Sequence, residues 1–363
     1  MRINTLQTTC YSSQLILALA AVIAAPTSFA QTVPAELLDL SIEDLFETRV
    51  TSSTERSSNE QRWSLEIGYD RSEFNEYFIG SSKVSYDDVL FQPGSEPRTN
   101  RNYPVAPTKI QQTVQSIRLA YGLSPTITLR GHLPLIHQST DHISVIPGYD
   151  EFNISSDGIG DIVLLADSII YQSVNSVLRF GSGLSFPTGS IDEQGDTPRA
   201  PGDQQLPYTM QLGSGTWDLP LLVSYQKYEE VIIWGVEANA RIRTGRTDRD
   251  YSLGDTYSLG GWLELPMSDA VMVGMRTDLI SRGKIQGDDT DLMVPIPGFP
   301  YPAAVVDPNA FGGKQIDMTL YATVRLGNDW RIRLRYKEPV WLDLNGPQTA
   351  LDRSITVSLS TTF

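Results

Sequence analysis

The sequence is poor in the side chains that form disulfides and bind transition metals. Cys10 is its only cysteine, so a disulfide framework within the chain is excluded. It has only three histidines, and structural and catalytic zinc sites are built from several cysteine and histidine ligands. We therefore expect no metal site and no cofactor.

Long apolar runs are also missing, since none approaches the ~20 residues that a membrane-spanning helix requires. The apolar stretch over residues 15–25 is preceded by the basic Arg2 and followed by small residues at Ser28 and Ala30. This pattern predicts a secretory signal peptide over residues 1–30. If the exported chain enters a membrane, it must then cross it with strands.

Basic residues are few relative to acidic ones. The chain has 28 Lys and Arg against 43 Asp and Glu, which gives a net charge of −15. A chain this acidic repels a phosphate backbone, so we exclude nucleic acid as a partner.

Near its end, the sequence alternates between apolar and polar residues with a period of two. Ile355, Val357, Leu359 and Phe363 fall on one parity, while serines and threonines fill the other. One face of this strand is therefore apolar and the other polar. A soluble β-domain can contain such a strand, but a terminal aromatic residue behind alternating apolar positions is typical of outer-membrane barrels.

Similar alternation recurs along the chain and predicts a series of strands. They are expected at 63–74, 112–123, 126–137, 160–172, 176–186, 216–228, 231–244, 257–265, 270–282, 315–326, 330–340 and 353–363. Their lengths suit the ~9–11 residues of a tilted membrane strand, and short and long links alternate between them. The sequence thus predicts an all-β fold: a twelve-stranded antiparallel transmembrane β-barrel over residues 62–363, located in the outer membrane of a Gram-negative cell.

The two faces of these strands differ in charge. Arg331, Arg333 and Arg335 alternate with apolar residues, and a charge facing lipid costs about 2–4 kcal/mol at mid-bilayer. The charged parity must therefore line the lumen. The candidate lumen residues are Arg118, Arg130, Arg179, Arg241, Arg243, Arg276, Arg325, Arg331, Arg333, Arg335, Asp161, Asp167 and Asp317. They form either a structural network of opposite charges or a path for an anionic solute.

A short helical pattern precedes the barrel within residues 31–61. Leu38, Ile42, Leu45 and Phe46 share one helical face, and a polar linker over 51–60 follows. An apolar face needs a partner, so we expect this helix to plug the lumen. A cap on the mouth and a frayed tail are the alternatives.

Three segments resemble a known family. They are Gly160-Asp-Ile-Val-Leu-Leu-Ala-Asp-Ser-Ile-Ile-Tyr171, Leu184-Ser-Phe-Pro-Thr-Gly189 and Gln211-Leu-Gly-Ser-Gly-Thr-Trp-Asp218. In order and spacing they resemble the outer-membrane proteins of the meta-pathway-of-phenol-degradation family, which are often called transporters. The resemblance implies a barrel with a channel or transport role. Residues 40–53 resemble the lead segment of TonB-dependent receptors, but no room remains for a plug domain, so TonB-driven uptake is not expected.

We therefore predict passive uptake of small hydrophobic or anionic solutes of aromatic type. The alternatives are a sealed structural barrel and a protein-export pore gated by the N-terminal helix, because functional-amyloid export channels are similar in having a twelve-stranded barrel closed by a short helix. His142-Ile-Ser144 has the His-x-Ser spacing of outer-membrane phospholipases, but the following Asn-Gly is missing, so we expect no enzyme. The expected partners are membrane lipid, lipopolysaccharide and the barrel assembly machinery, and the resemblance to outer-membrane barrels implies that Phe363 is part of the signal that this machinery reads.

The long link before the strand at 315–326 contains a stiff apolar segment over residues 294–302, which is rich in proline. It either folds inward as a lid that contacts hydrophobic solutes or forms a rigid loop that packs on its neighbours.

Overall fold

The computed structural model of the protein describes residues 63–94 and 97–363. The predicted signal peptide and the predicted helix with Leu38, Ile42, Leu45 and Phe46 lie outside the described residues. In the part that is described, no helix has the length and apolar character needed to cross a membrane.

The chain folds into a closed antiparallel β-barrel. In chain order the strands are β1 (Trp63–Gly80), β2 (Ser82–Val84), β3 (Val105–Gly122), β4 (Ile127–Ser144), β5 (Glu151–Ile159), β6 (Ile162–Gln172), β7 (Ser176–Phe186), β8 (Gln194–Asp196), β9 (Asp203–Gln205), β10 (Trp217–Tyr228), β11 (Ile233–Thr244), β12 (Thr256–Pro266), β13 (Val271–Arg282), β14 (Gly313–Leu326) and β15 (Trp330–Thr362). Eleven of them form the wall, while β2 and β5 pair outside the ring and β8 pairs with β9 alone.

The ring closes where the first strand meets the last. Trp63 and Phe363 exchange two backbone hydrogen bonds of 3.0 Å each, and the pairing continues from Ser64 opposite Thr362. On the inner side of this seam, the Asp70 carboxylate accepts hydrogen bonds from hydroxyls of β15. The predicted pairing of 63–74 with the terminal strand is therefore confirmed, and closure pairs the edge strands with each other.

The number of strands differs from the prediction of twelve. The predicted strands at 330–340 and 353–363 belong to one continuous strand, β15. Residues 341–352, which were expected to link them, belong to this strand: Leu342 lies opposite Gln315 of β14, and Leu351 lies opposite Phe74 of β1. The wall therefore has eleven continuous strands rather than twelve.

The two ends of the barrel differ in their connections. At one end, called the turn end here, five short turns join neighbouring strands, and Gly327 has the positive φ of 68° that one of them requires. At the other end, the loop end, the long connections carry β2, β5, the β8–β9 pair and a short helix, α1 (Tyr86–Val89). They also carry 3-10 turns at Tyr208–Met210, Thr290–Leu292, Ala304–Val306 and Pro308–Ala310. The predicted alternation of short and long links holds except at residues 341–352.

The faces of the wall follow the predicted parity. Outward side chains such as Ile67 and Leu259 are exposed, by 53% and 58%. Inward polar side chains such as Glu264, Arg276 and Asp278 are buried. Successive residues of a strand point to opposite faces, so each strand presents an apolar outer surface and a polar interior.

The wall is taller on one side. β1, β3 and β4 have 18 residues each, whereas β10, β11 and β13 have 12. The inward residues of the extra length, such as Tyr77 and Val105, are buried against loops. The tall side thus supports the structures of the loop end.

Candidate functional site

The interior of the barrel contains charged and aromatic side chains on β11 to β14 that contact one another in two sets. Arg276 Nη2 lies 3.0 Å from Glu237 Oε1 and 2.7 Å from Asp278 Oδ1. Its guanidinium carbon lies 5.6 Å from the centre of the Trp262 ring. The Tyr321 hydroxyl donates to Glu264 Oε1 at 3.0 Å. We call these six residues the lumenal cluster.

Glycines on the inward parity make room for the large side chains of this cluster. A Cβ atom on Gly235 would lie 2.2 Å from Trp262 Cζ2, and one on Gly274 would lie 2.4 Å from Tyr321 Cζ. Both rings therefore lie flat over the backbone of the neighbouring strand. Sequence reasoning missed these positions, although a glycine inside a strand pattern can indicate close approach of another group.

Several predicted lumen residues form ion pairs between neighbouring strands. These pairs are Arg118 with Glu66 at 2.5 Å, Arg130 with Asp167 at 2.6 Å, and Arg243 with Asp218. Asp317 accepts a hydrogen bond from Gln315 Nε2 at 2.9 Å. Pairing across the interior favours a structural network for these residues, because buried charges require partners.

The remaining basic candidates also carry inward parity. Arg333 Nε donates to Thr323 Oγ1 at 3.0 Å. Arg241 is buried, Arg325 near the turn end is exposed, and the others are partly buried. Contacts within the protein engage all of them, namely Arg179, Arg241, Arg325, Arg331, Arg333 and Arg335.

Asp161 lies at the loop end of the wall rather than deep in the interior. Its carboxylate accepts hydrogen bonds from the Gly189 backbone at 3.0 Å and from the Ser214 backbone and hydroxyl at 2.8 and 2.7 Å. Asp161 therefore anchors two loop segments to the rim. These contacts favour a structural role.

The loop end contains a buried apolar group, formed mostly by residues of the long connections. Ala303, Val305, Val306 and Phe311 come from one segment, and the buried members together are Val105, Tyr208, Tyr251, Leu253, Ile285, Leu292, Ala303, Val305, Val306 and Phe311. We call this group the outer apolar cluster. The predicted lid segment at 294–302 is only partly involved, because Tyr301 packs against the cluster while Ile296 is 47% exposed.

A single arginine ties three loops together beside this cluster. Arg249 forms ion pairs with Asp192 at 2.8 Å, Asp289 at 3.2 Å and Asp291 at 3.0 Å. Burial raises the pKa of the Asp289 carboxyl, and the nearby Arg249 opposes that change. Within the described residues, no group of histidine, cysteine, aspartate and glutamate side chains is arranged to hold a metal ion.

The candidate lipase pair has other partners. The His142 ring stacks on Phe152 at 4.6 Å, and its Nδ1 lies 3.2 Å from the Thr140 carbonyl oxygen. Ser144 Oγ accepts a hydrogen bond from the Ile146 backbone at 2.9 Å. The absence of enzymatic activity stays a prediction.

Comparison with known proteins is informative at the level of the fold. Neither a protein-family model nor a curated protein sequence matches the chain. Among solved structures, an outer membrane channel from Pseudomonas putida F1 is similar with a TM-score of 0.55 and 14% identity, over 87% of this chain and 100% of that one. The monoaromatic hydrocarbon channel TodX is more distant, with a TM-score of 0.48 and 12% identity over 84% of this chain and 91% of that one. The likeness to the Pseudomonas putida channel shows an outer-membrane type of barrel fold.

Proposed function

We propose that this protein is an outer-membrane channel for passive uptake of small solutes of hydrophobic or anionic aromatic type. The observation that carries the proposal is a polar interior inside an apolar outer surface. A soluble barrel has no need for the exposed apolar side chains on its outer face, whereas lipid requires them.

Unpaired polar atoms in the interior support a lumen that holds water. Gln226 Nε2, Asn239 Oδ1 and Trp262 Nε1 are buried without a hydrogen-bond partner among the described residues. Each such atom in a dry interior costs about 1–3 kcal/mol. Water within the lumen supplies the missing partners, so a wet interior is favoured over a sealed one.

The orientation that we propose places the turn end in the periplasm and the loop end outside the cell, as in outer-membrane barrels generally. Cleavage of residues 1–30, contact with lipopolysaccharide, and recognition of Phe363 during assembly belong to this proposal. The kinship with the meta-pathway-of-phenol-degradation family and the lumen plug within residues 31–61 remain predictions. Passage of an unfolded protein is less well supported, because the long connections pack together in the outer apolar cluster at the loop end.

We also propose that β15 crosses the membrane twice, which gives the twelve spans that the sequence predicts. A straight strand of its 33 residues would be about 110 Å long, far more than the ~25 Å apolar band of such barrels. Its residues up to Leu344 pair with β14, while Leu344 and the residues from Gln348 onward pair with β1. Asn345, Gly346 and Pro347 separate the two parts and favour a reversal of the chain there.

Conductance and ion selectivity in planar bilayers test this function. The wild-type protein should conduct and should prefer anions, because basic side chains follow one another on the inner face of β15. Replacing Arg331, Arg333 and Arg335 together by glutamine should shift the selectivity toward cations. A control that replaces the exposed Arg71 and Arg353 by glutamine should leave it unchanged.

Two outcomes would contradict the proposal. Failure of the folded wild-type barrel to conduct would favour a sealed barrel. A preference for cations that is the same in the wild type and in the triple variant would exclude the arginines as a path for anions.

A further inference from the structure

A cavity of 360 Å³ lies at the loop end, outside the outer apolar cluster. It lies between residues 98–103, residues 298–310 and the segment Asn345–Pro347. Its volume is within the range of small-molecule sites, which is about 300–1,000 Å³. The cavity is thus large enough for a small organic solute.

Three cations line the cavity. Arg98 is partly buried, and its Nε has no hydrogen-bond partner among the described residues. Arg101 and Lys284 are exposed, and no ion pair is formed by either side chain within residues 63–94 and 97–363. In a chain with a net charge of −15, this local group of positive charges favours anions.

Aromatic rings lie beside these cations. The guanidinium carbon of Arg98 lies 5.9 Å from the centre of the Phe299 ring, and Arg98 Nη2 donates to the Tyr301 carbonyl oxygen at 2.7 Å. Burial lowers the pKa of the Arg98 guanidinium, which is the electrostatic cost that a bound anion would offset. The cavity therefore offers both a positive end and a flat apolar wall.

The one acidic residue in the lining is already engaged. Asp307 accepts hydrogen bonds from the Tyr103 hydroxyl at 2.9 Å and from the Asn309 backbone at 2.9 Å. It belongs to the segment that carries Val305 and Val306 into the outer apolar cluster. A solute in the cavity would therefore contact the segment that contributes Val305 and Val306 to the outer apolar cluster.

We propose that this cavity is a recognition site for small organic anions with a flat apolar body, such as aromatic carboxylates. The anionic group is held by Arg98, Arg101 and Lys284, and the ring packs on Phe299 and the adjacent loop. The inference deepens the proposed channel function, since it supplies the solute class and the place where uptake begins.

Isothermal titration calorimetry of the full chain in detergent tests the site with three probes. Benzoate carries both features, benzyl alcohol has the ring without the charge, and inorganic phosphate has charge without the ring. We expect saturable binding of benzoate, with the other two at least about tenfold weaker. Absence of saturable benzoate binding, or phosphate binding of equal strength, would overturn the proposal.

Substitutions in the cavity test whether benzoate binds there. The double substitution of Arg101→Gln and Lys284→Gln should weaken benzoate binding about tenfold or more, because two charged contacts are lost. Both side chains are exposed, so the barrel should still fold. The matched control is Lys314→Gln on β14, an exposed lysine outside the cavity, which should leave the affinity unchanged. Equal affinity in the double variant and the wild type would place benzoate elsewhere.

The binding and conductance measurements distinguish failure of the proposed site from failure of the proposed channel function. A barrel that conducts but does not bind benzoate would retain the channel function and exclude this site. A barrel that binds benzoate but never conducts would retain the site and exclude the channel.

Discussion

The lumenal cluster and the outer apolar cluster lie at two levels of one barrel and have opposite compositions. The lumenal cluster is formed by charged and aromatic side chains on neighbouring strands, such as Arg276 and Trp262. The outer apolar cluster is formed by side chains from several long loops, such as Tyr208, Tyr251 and Val305. A solute entering from the loop end would meet the apolar level before the polar one.

The difference in composition indicates that the wall and the loops have different mechanical properties. Strand residues are held by the ladder of backbone hydrogen bonds, so the polar level is rigid and can remain wet. Loop residues are joined by side-chain contacts and by isolated backbone hydrogen bonds, such as the pair between Ser252 and Gln286, so we expect the apolar level to open at lower cost. We therefore expect the wall to remain rigid and the loops to open.

The largest expected effect comes from breaking the lumenal cluster. Arg276→Met leaves the partly buried carboxylate of Glu237 and the buried carboxylate of Asp278 without their shared cation, which should lower the free energy of unfolding by about 3–5 kcal/mol. Urea unfolding in lipid vesicles measures this change. The control Arg246→Met removes an exposed arginine at the loop end and should change stability by less than about 0.5 kcal/mol. A loss below about 1 kcal/mol for Arg276→Met would mean that the lumenal cluster is not a rigid element.

The second-largest effect is expected on single-channel conductance, from substitutions in the outer apolar cluster. Replacing Val305 and Val306 by serine should raise single-channel conductance at least about twofold, because apolar constrictions close by excluding water. Recordings in planar bilayers give the comparison with the wild type. The control replaces Val174 and Val231 by serine, two exposed valines at the turn end, and should conduct as the wild type does. Unchanged conductance in the first variant would show that the cluster does not limit flow.

The smallest effect is expected from breaking the ion pairs that join the loops. Arg249→Gln removes three ion pairs and should weaken loop closure by about 1 kcal/mol without destabilising the wall. Hydrogen exchange should become faster in residues 187–216 and 245–255. Lys227→Gln, which breaks an exposed ion pair with Glu229 at the turn end, is the control. Exchange that increases equally in the strands would mean that wall and loops are not independent.

Much of the wall could be predicted from the sequence because a strand repeats every two residues. Trp330, Ile332 and Leu334 alternate with arginines, and this pattern alone gives a strand and its two faces. The strand count could not be predicted in the same way. Residues 345–350 do not alternate, and they join the strand through the pairing of 348–350 with β1 and the hydrogen bond from the Asn345 backbone to Gly312.

The contacts within the two clusters could not be predicted from the sequence, for a different physical reason in each case. Glu237 and Arg276 are distant along the chain, and their contact depends on the register of three strands. Tyr208, Ile285 and Val305 lie in separate loops without periodicity, so no pattern indicates that they meet. The cavity combines residues from further loops and was missed for the same reason.

The bond between Trp63 and Phe363 has a consequence for how the barrel forms. It joins residues at opposite ends of the described chain, so it has the largest sequence separation of any pairing in the wall. Contacts of high sequence separation form slowly, because a long loop must be closed first. Before this pairing forms, β1 and β15 lack a partner along one edge, and we expect such unpaired edges to be able to pair with another chain. The time that the sheet remains open sets its exposure to aggregation.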